Sequence, residues 1–303
     1  MSIEIFHPRS REEWLALRLH DLTASDIGAV VGCDHFKSPL RVYAEKTGMV
    51  GGEAENAAMQ RGRWLEAAVI EAMREKFPTW DIRRAGVYLR DKEIRMGATP
   101  DAVAEDPVEP GLINIQCKVI ARPVYEREWE NDKAPLKYAL QTISEGALLN
   151  SRTNLVAALV IDTYTAQLVV DEVPRHADAE NRVRAIVQEF WSNVAAGKQP
   201  AVDYASDAEV IAAMYPASVP AKIIDLSTDN LLPILLAERA EIKAREKADK
   251  ERVEEIDTEI KSKLGDAEEA KLPGWKLTWK TQHRKEFTVA ASTQRPLRVT
   301  DQR

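Results

Sequence analysis

Three polar side chains in this sequence have the types and spacing to do phosphate chemistry. Leu112-Ile113-Asn114-Ile115-Gln116-Cys117-Lys118-Val119 reads as an apolar strand interrupted only by Asn114, Gln116 and Lys118. Side chains alternate along a strand, so these three share one face. Shortly before it, Gly97-Ala98-Thr99-Pro100-Asp101-Ala102 sets a carboxylate at a strand end, behind a proline that fixes the backbone. A carboxylate, an amide oxygen and an ammonium on one face can hold a divalent metal and orient a water. Magnesium takes hard oxygen ligands and keeps several waters, so one or two carboxylates suffice. The lysine would lower the water's pKa or stabilise charge on a phosphate. Spacing alone favours a plainer arrangement, with Gln116 and Lys118 on the solvent face of an edge strand and Asp101 capping a turn.

The elements that must position these residues follow from pattern. Ser10-Arg11-Glu12-Glu13 is a capping box that opens a short helix ending near His20. Thr23-Ala24-Ser25-Asp26 starts a second, capped with Ser25's help and stopped around Gly32. A third is expected over 57–77, where Leu65, Val69, Ala72 and Met73 recur at helical spacing. The period then shifts to strands at 82–90, 94–104 and 112–120, a helix over 137–150, strands at 155–163 and 167–173, and a helix over 177–196. Helices, a strand meander and further helices define an α/β core with a central mixed sheet flanked by helices, over residues 1–215. Residues 216–303 form a C-terminal extension. Its charged helix over 231–264 carries Val253, Ile256, Ile260 and Leu264 as a narrow apolar seam, suited to packing or oligomerisation, and segments 275–280 and 286–290 suggest a small hairpin. Trp14, Trp64, Trp80, Trp129 and Trp191 sit in apolar patterns and read as core.

Bulk properties narrow the classes. The chain has 303 residues, 45% hydrophobic and 30% charged, an ordinary globular balance. No apolar run approaches the roughly 20 residues of a membrane helix, and the start MSIEIFHPRS lacks the features of a signal peptide. Two cysteines, Cys33 and Cys117, form no disulfide framework and point to a reducing cytoplasm. The net charge of -7 argues against a protein that coats nucleic acid, but not against a DNA enzyme, because local charge decides phosphate contact. From Lys271 to Arg303, eight Lys/Arg face two acidic residues, a local balance of +6. That basic end, with Trp275, Trp279 and Phe287, suits extra DNA contact.

Several motifs in order resemble the PD-(D/E)xK nuclease superfamily, and more closely the YqaJ-like viral recombinases related to lambda exonuclease. They are Glu12-Glu13-Trp14-Leu15 with Arg18, Thr23-Ala24-Ser25-Asp26-Ile27-Gly28 with Gly32, Arg61-Gly62-Arg63-Trp64-Leu65-Glu66, Thr99-Pro100-Asp101, Gln116-Cys117-Lys118, and Tyr138 to Gln141. The resemblance implies a restriction-endonuclease-like core. It implies Asp101 as the main metal ligand, Glu66 and Gln116 as further ligands to Mg2+ (with Mn2+ able to substitute), and Lys118 as the catalytic lysine. Arg18 and Ser25 resemble the pair that holds a terminal 5′ phosphate; a salt bridge from Arg18 to Glu12 or Asp21 is the plainer reading. Thr99 adds a hydroxyl beside Asp101, and Gln141 resembles the glutamine that faces the site.

The implied activity is a 5′-to-3′ exonuclease on linear double-stranded DNA ends in phage-type recombination, in the cytoplasm of a bacterial host. Relatives work with a single-strand annealing protein and often form rings, which makes both expectations here. One departure matters: the commoner motif has Glu where this chain has Gln116. That residue is a natural variant, an inactivating change or the mark of a degenerate nuclease; the presence of Gln in some phage relatives favours the first. The competing functions are a catalytically weakened DNA-binding recombination protein and a site-specific endonuclease.

Overall fold

A computed structural model describes residues 2–52, 55–286, 291 and 295–300. The chain divides into two compact units, Met1–Tyr215 and Pro216–Arg303. The first unit opens with β1 (Ile3–Phe6), α1 (Arg11–Leu19), β2 (Leu22–Thr23), a 3-10 turn (Ala24–Asp26) and α2 (Ile27–Val30), followed by α3 (Pro39–Lys46) and α4 (Ala57–Lys76). Strands β3 (Asp81–Arg84), β4 (Tyr88–Asp91), β5 (Met96–Ala98), β6 (Ala102–Glu105) and β7 (Leu112–Ala121) come next. Then come α5 (Arg122–Glu128), α6 (Leu136–Leu149), β8 (Thr153–Ile161), β9 (Ala166–Val173), α7 (Ala177–Ala195) and α8 (Ala208–Met214).

The strands make two mixed sheets where pattern had suggested one. A five-stranded sheet runs β3-β6-β7-β8-β9, parallel only between β7 and β8; a four-stranded sheet runs β1-β4-β5-β2, parallel only between β5 and β2. The expected strands at 82–90 and 94–104 are each two strands belonging to different sheets. Gly86, at φ 62°, turns the chain out of β3 before β4. Thr99-Pro100-Asp101 returns it from β5 to β6, where proline has no N–H for a ladder. Asp101 therefore stands where the chain crosses between sheets.

Strand β7 is central, paired with β6 on one side and β8 on the other, so the edge-strand alternative for Gln116 and Lys118 is ruled out. Its two faces are covered differently. Val69, Ile70 and Met73 of α4 pack with Ile113, Ile115 and Cys117. The opposite face meets α6, where Asn114 Nδ2 donates to the Thr142 carbonyl. Gly146 lets α6 come this close: a Cβ there would lie 1.8 Å from Asn154 Oδ1, an atom of β8. Asn150 ends the helix in the left-handed region, at φ 51°.

Five elements of the first unit were not anticipated: β1, β2, α3, α5 and α8. Each is eight residues or fewer, too short for periodicity to register, although Ser38-Pro39 is a legible N-cap followed by proline at the first helical position.

The second unit holds α9 (Leu232–Leu264), β10 (Glu269–Leu272) and β11 (Trp275–Thr278). Helix α9 is lined with Lys–Glu pairs such as Lys247–Glu251 and Lys250–Glu254, and stops at Gly265. Its expected seam is open to solvent within the chain: Val253 is 55% and Ile256 40% exposed, and only Leu264 is buried. The hairpin pairs Leu272 with Trp275 around Gly274, so residues 275–280 contribute a strand whose partner lies before it. Residues 287–290, with Phe287, lie outside the described part.

Candidate active site

The crossing at Asp101 and the polar face of β7 converge. Asp101 accepts a hydrogen bond from the Cys117 backbone N–H at 2.8 Å and another from Gln116 Nε2. Gln116 Oε1 accepts from Gln141 Nε2 at 2.9 Å, and the same Nε2 donates to Glu145 Oε1 at 2.9 Å. Lys118 Nζ donates to Gln141 Oε1 at 3.1 Å and lies 4.8 Å from the centre of the Tyr138 ring. The orientation of the amides follows from their neighbours. Lys118 can only donate, so the oxygen of Gln141 faces it. The Gln141 NH2 then faces Glu145 and Gln116, which leaves Gln116 to present its own NH2 to Asp101. Gln116 thus meets Asp101 as a donor.

This arrangement is rich in acid. Burial pushes the Asp101 carboxyl up to about 6 and neighbouring Glu66 adds to that, while Lys118 opposes it. Glu145, fully buried, is pushed up to about 8 by burial and by Asp101. Burial also raises the Cys117 thiol; its side chain packs in the α4-side core, as alternation requires. Glu66 reaches the site from α4 and is held by Arg84 at 3.3 Å.

Beside it lies a cationic corner. Arg18 Nη2 donates to Ser25 Oγ at 3.0 Å and to Thr23 Oγ1 at 3.3 Å, and its guanidinium rests 4.5 Å from the Trp14 ring centre. The plainer partner, Asp21, is taken by Arg90 at 2.7 Å. Capping of the turn falls to Thr23, which forms a capping box with Asp26, and so the hydroxyl of Ser25 serves Arg18 instead. Asp26 is a buried foundation. Burial opposes its ionisation, but Lys46 at 3.0 Å and Lys37 at 2.8 Å hold its carboxyl well below the usual range. Trp14 Nε1 donates to Thr99 Oγ1 at 2.9 Å, tying this corner to the Asp101 crossing.

Arg18, Ser25, Glu66, Thr99, Asp101, Gln116, Lys118 and Gln141 all line one open cleft of about 630 Å³. Sequence reading missed Arg11, Trp14, Thr23, Arg63 and Glu145, which line it too. Arg63 had a signal, lying one helical turn before Glu66; Glu145 had another, four residues after Gln141 on the same helix face. Two tryptophans read as core are not: Trp14 borders the cleft, and Trp64 is 64% exposed on α4. Trp129 is buried, Trp80 stacks on Phe77, and Trp191 carries Arg95 3.5 Å above its ring.

Among the described residues no group of three or more His, Cys, Asp or Glu is arranged to hold a metal. The donor set on offer is instead two carboxylates, Asp101 and Glu66, with the amide of Gln116. Its chemistry fits a hard divalent cation. The donors are oxygens, and the buried Asp101 holds its proton more tightly than a solvated carboxyl, a deficit of positive charge that a cation would relieve.

Known structures share the fold that carries this cleft. A crystal structure of LHK-Exo in complex with dAMP matches with a TM-score of 0.51 at 21% identity, covering 62% of this chain and 94% of that one. A second, of an alkaline exonuclease (LHK-Exo) from Laribacter hongkongensis, gives 0.49 at 21% identity over the same shares. The fold of this chain is similar to that of LHK-Exo, a mixed α/β core with helices on both sides. Residues 13–147 match the model of the YqaJ-like viral recombinase domain, and every cleft residue predicted from sequence lies within them. Over 285 residues the chain is 26% identical to "Uncharacterized protein YqaJ" of Bacillus subtilis (strain 168), which covers 89% of this chain and 83% of that protein.

Proposed function

We propose that this protein is a divalent-metal-dependent deoxyribonuclease, a 5′-to-3′ exonuclease acting on linear duplex ends in phage-type recombination. The observation that carries this reading is the single cleft joining Asp101, Glu66, Gln116 and Lys118 to the Arg18–Ser25 corner. In it Asp101, Glu66 and the Gln116 oxygen would hold Mg2+, with Mn2+ as a substitute. The bound cation supplies Lewis acidity and a nucleophilic water. Lys118, steadied by Gln141 and the face of Tyr138, stabilises charge on the scissile phosphate. Arg18 and Ser25 take a terminal phosphate, a guanidinium and a hydroxyl beside a helix start being good anion partners. Trp14 and Thr99 couple that anchor to the Asp101 crossing, so that an end held at Arg18 sets the register of the phosphodiester at the metal site.

Residues 1–215 form the nuclease core in this reading, and residues 216–303 an extension whose basic end contacts DNA. The same reading takes a single-strand annealing protein as partner and assembly into a ring, in the cytoplasm of a bacterial host. No helix among the described residues is long and apolar enough to cross a membrane.

One observation favours a second reading, a weakened DNA-binding protein. Gln116 offers Asp101 an N–H, and must turn its amide over, releasing Asp101 and Gln141, before its oxygen can ligate. Digestion of linear and closed circular duplex with Mg2+ separates the possibilities. The expected result is degradation of linear, 5′-phosphorylated DNA alone, lost by at least about 100-fold in Asp101→Ala and Lys118→Ala. Cleavage of circles would favour a site-specific endonuclease, DNA binding without digestion the weakened protein. Digestion surviving both substitutions would remove the site altogether.

A further inference from the structure

Glu145 is a buried carboxylate whose charge is favoured by a cation, Lys118, only at a distance, across Gln141. It has no ion pair among the described residues, and its partners are two amides: Gln141 Nε2 on Oε1 at 2.9 Å and Asn114 Nδ2 on Oε2 at 3.4 Å. Asn114 in turn leaves its own buried Oδ1 without a partner. Burying an acid against amides costs stability, and a glutamine of the same shape would make most of these contacts without a charge to desolvate. Packing therefore does not account for an acid here. Its connections do. Glu145 joins Gln141, Gln141 joins Gln116 and Gln116 joins Asp101, an unbroken run of hydrogen bonds ending on the carboxylate at the sheet crossing. Gln116 is also the position where the commoner motif carries an acid.

We infer that Glu145 supplies, from α6, the negative charge that position 116 lacks, acting on the cation site at short range from behind Gln141 rather than as a ligand. The neutral strand amide and the acidic helix residue then form a matched pair. An acid at both positions would crowd four carboxylates around one cleft; an acid at neither would leave Asp101 and Glu66 alone. Glu145 is in this sense a positioning and charge-supplying residue. The inference rests on the metal-dependent reading above.

The test is a calorimetric titration of the full chain with Mn2+, without DNA, at pH 8.5, alongside thermal melts. The proteins are wild type, Glu145→Gln, Gln116→Glu, the double variant Gln116→Glu/Glu145→Gln, and Asp101→Ala. Removing one charge at this range weakens Mn2+ affinity by roughly tenfold in Glu145→Gln. The double variant, with site charge conserved, returns to within about threefold of wild type. The melting temperature of Glu145→Gln stays level or rises, since a buried charge has been removed. Unchanged Mn2+ affinity in Glu145→Gln, or a double variant as weak as that single one, overturns the inference. So does a fall in melting temperature with affinity intact, which would assign Glu145 to structure alone. If wild type takes up no Mn2+, or Asp101→Ala binds as well as wild type, the metal reading fails, and this inference falls with it.

Discussion

Raising the pH should weaken the metal-free protein through the buried acids of the cleft, and Asp101 lets the effect be sized. Its ordinary value of 3.8 is pushed up to about 6 in the fold, by burial first and Glu66 as well. The folded state therefore binds a proton more tightly than the unfolded chain does. The contribution to stability is fully present below pH 3.8 and is lost as pH rises through about 6. At about 1.4 kcal/mol for each pH unit of that interval, Asp101 accounts for about 3 kcal/mol. Glu145, pushed up to about 8, adds in the same direction at higher pH. The assay is urea unfolding in EDTA at several pH values between 4 and 8.5, for wild type and Asp101→Asn. Groups that do not interact with Asp101 titrate alike in both proteins and cancel in the difference, while Glu145, which Asp101 raises, adds to the loss in wild type alone. Wild type should lose at least about 3 kcal/mol more than Asp101→Asn across the range. Mg2+ at pH 8 should restore wild type and leave Asp101→Asn nearly unmoved, because a cation replaces the lost proton only where the carboxylate exists. Parallel pH profiles for the two proteins would refute the reasoning, and so would a wild type that gains stability relative to the variant as pH rises.

Two further predictions concern the neighbouring corner. Arg18→Ala and Ser25→Ala should each raise KM by roughly tenfold or more on 5′-phosphorylated duplex while leaving 5′-hydroxyl ends almost unchanged, since a charge-assisted hydrogen bond contributes about 1.5–3 kcal/mol; steady-state kinetics on paired substrates checks this. Lys46→Met should destabilise the fold by about 3 kcal/mol in urea unfolding at pH 7, because it strips a buried cation from the buried Asp26.

How much of this was legible in the sequence follows from which interactions are local. Alternation along β7 determined that Gln116 and Lys118 look one way and Cys117 the other, and the order of helices and strands pointed to the mixed α/β core, a fold similar to that of LHK-Exo. Helix limits came out within a residue or two where a cap marked them, as at Ser10, Asn56 and Asn150. Sheet membership was not legible. Period-2 patterning runs straight through Gly86 and Thr99-Pro100, and nothing within a strand says which sheet will receive it. Tertiary structure alone decided that Asp101 stands at the crossing, that β7 is central, and that Arg18 turns to Ser25 because Arg90 has taken Asp21. It also decided the direction of the Gln116 amide. A side-chain amide has no preferred face of its own; Lys118 and Glu145, 27 residues apart in sequence, orient Gln141, and Gln141 orients Gln116. Residue types and their alternation determined which groups are available to the site. Only the packing of α6 against β7 decided which of them donate, which accept, and which buried acid stands behind them.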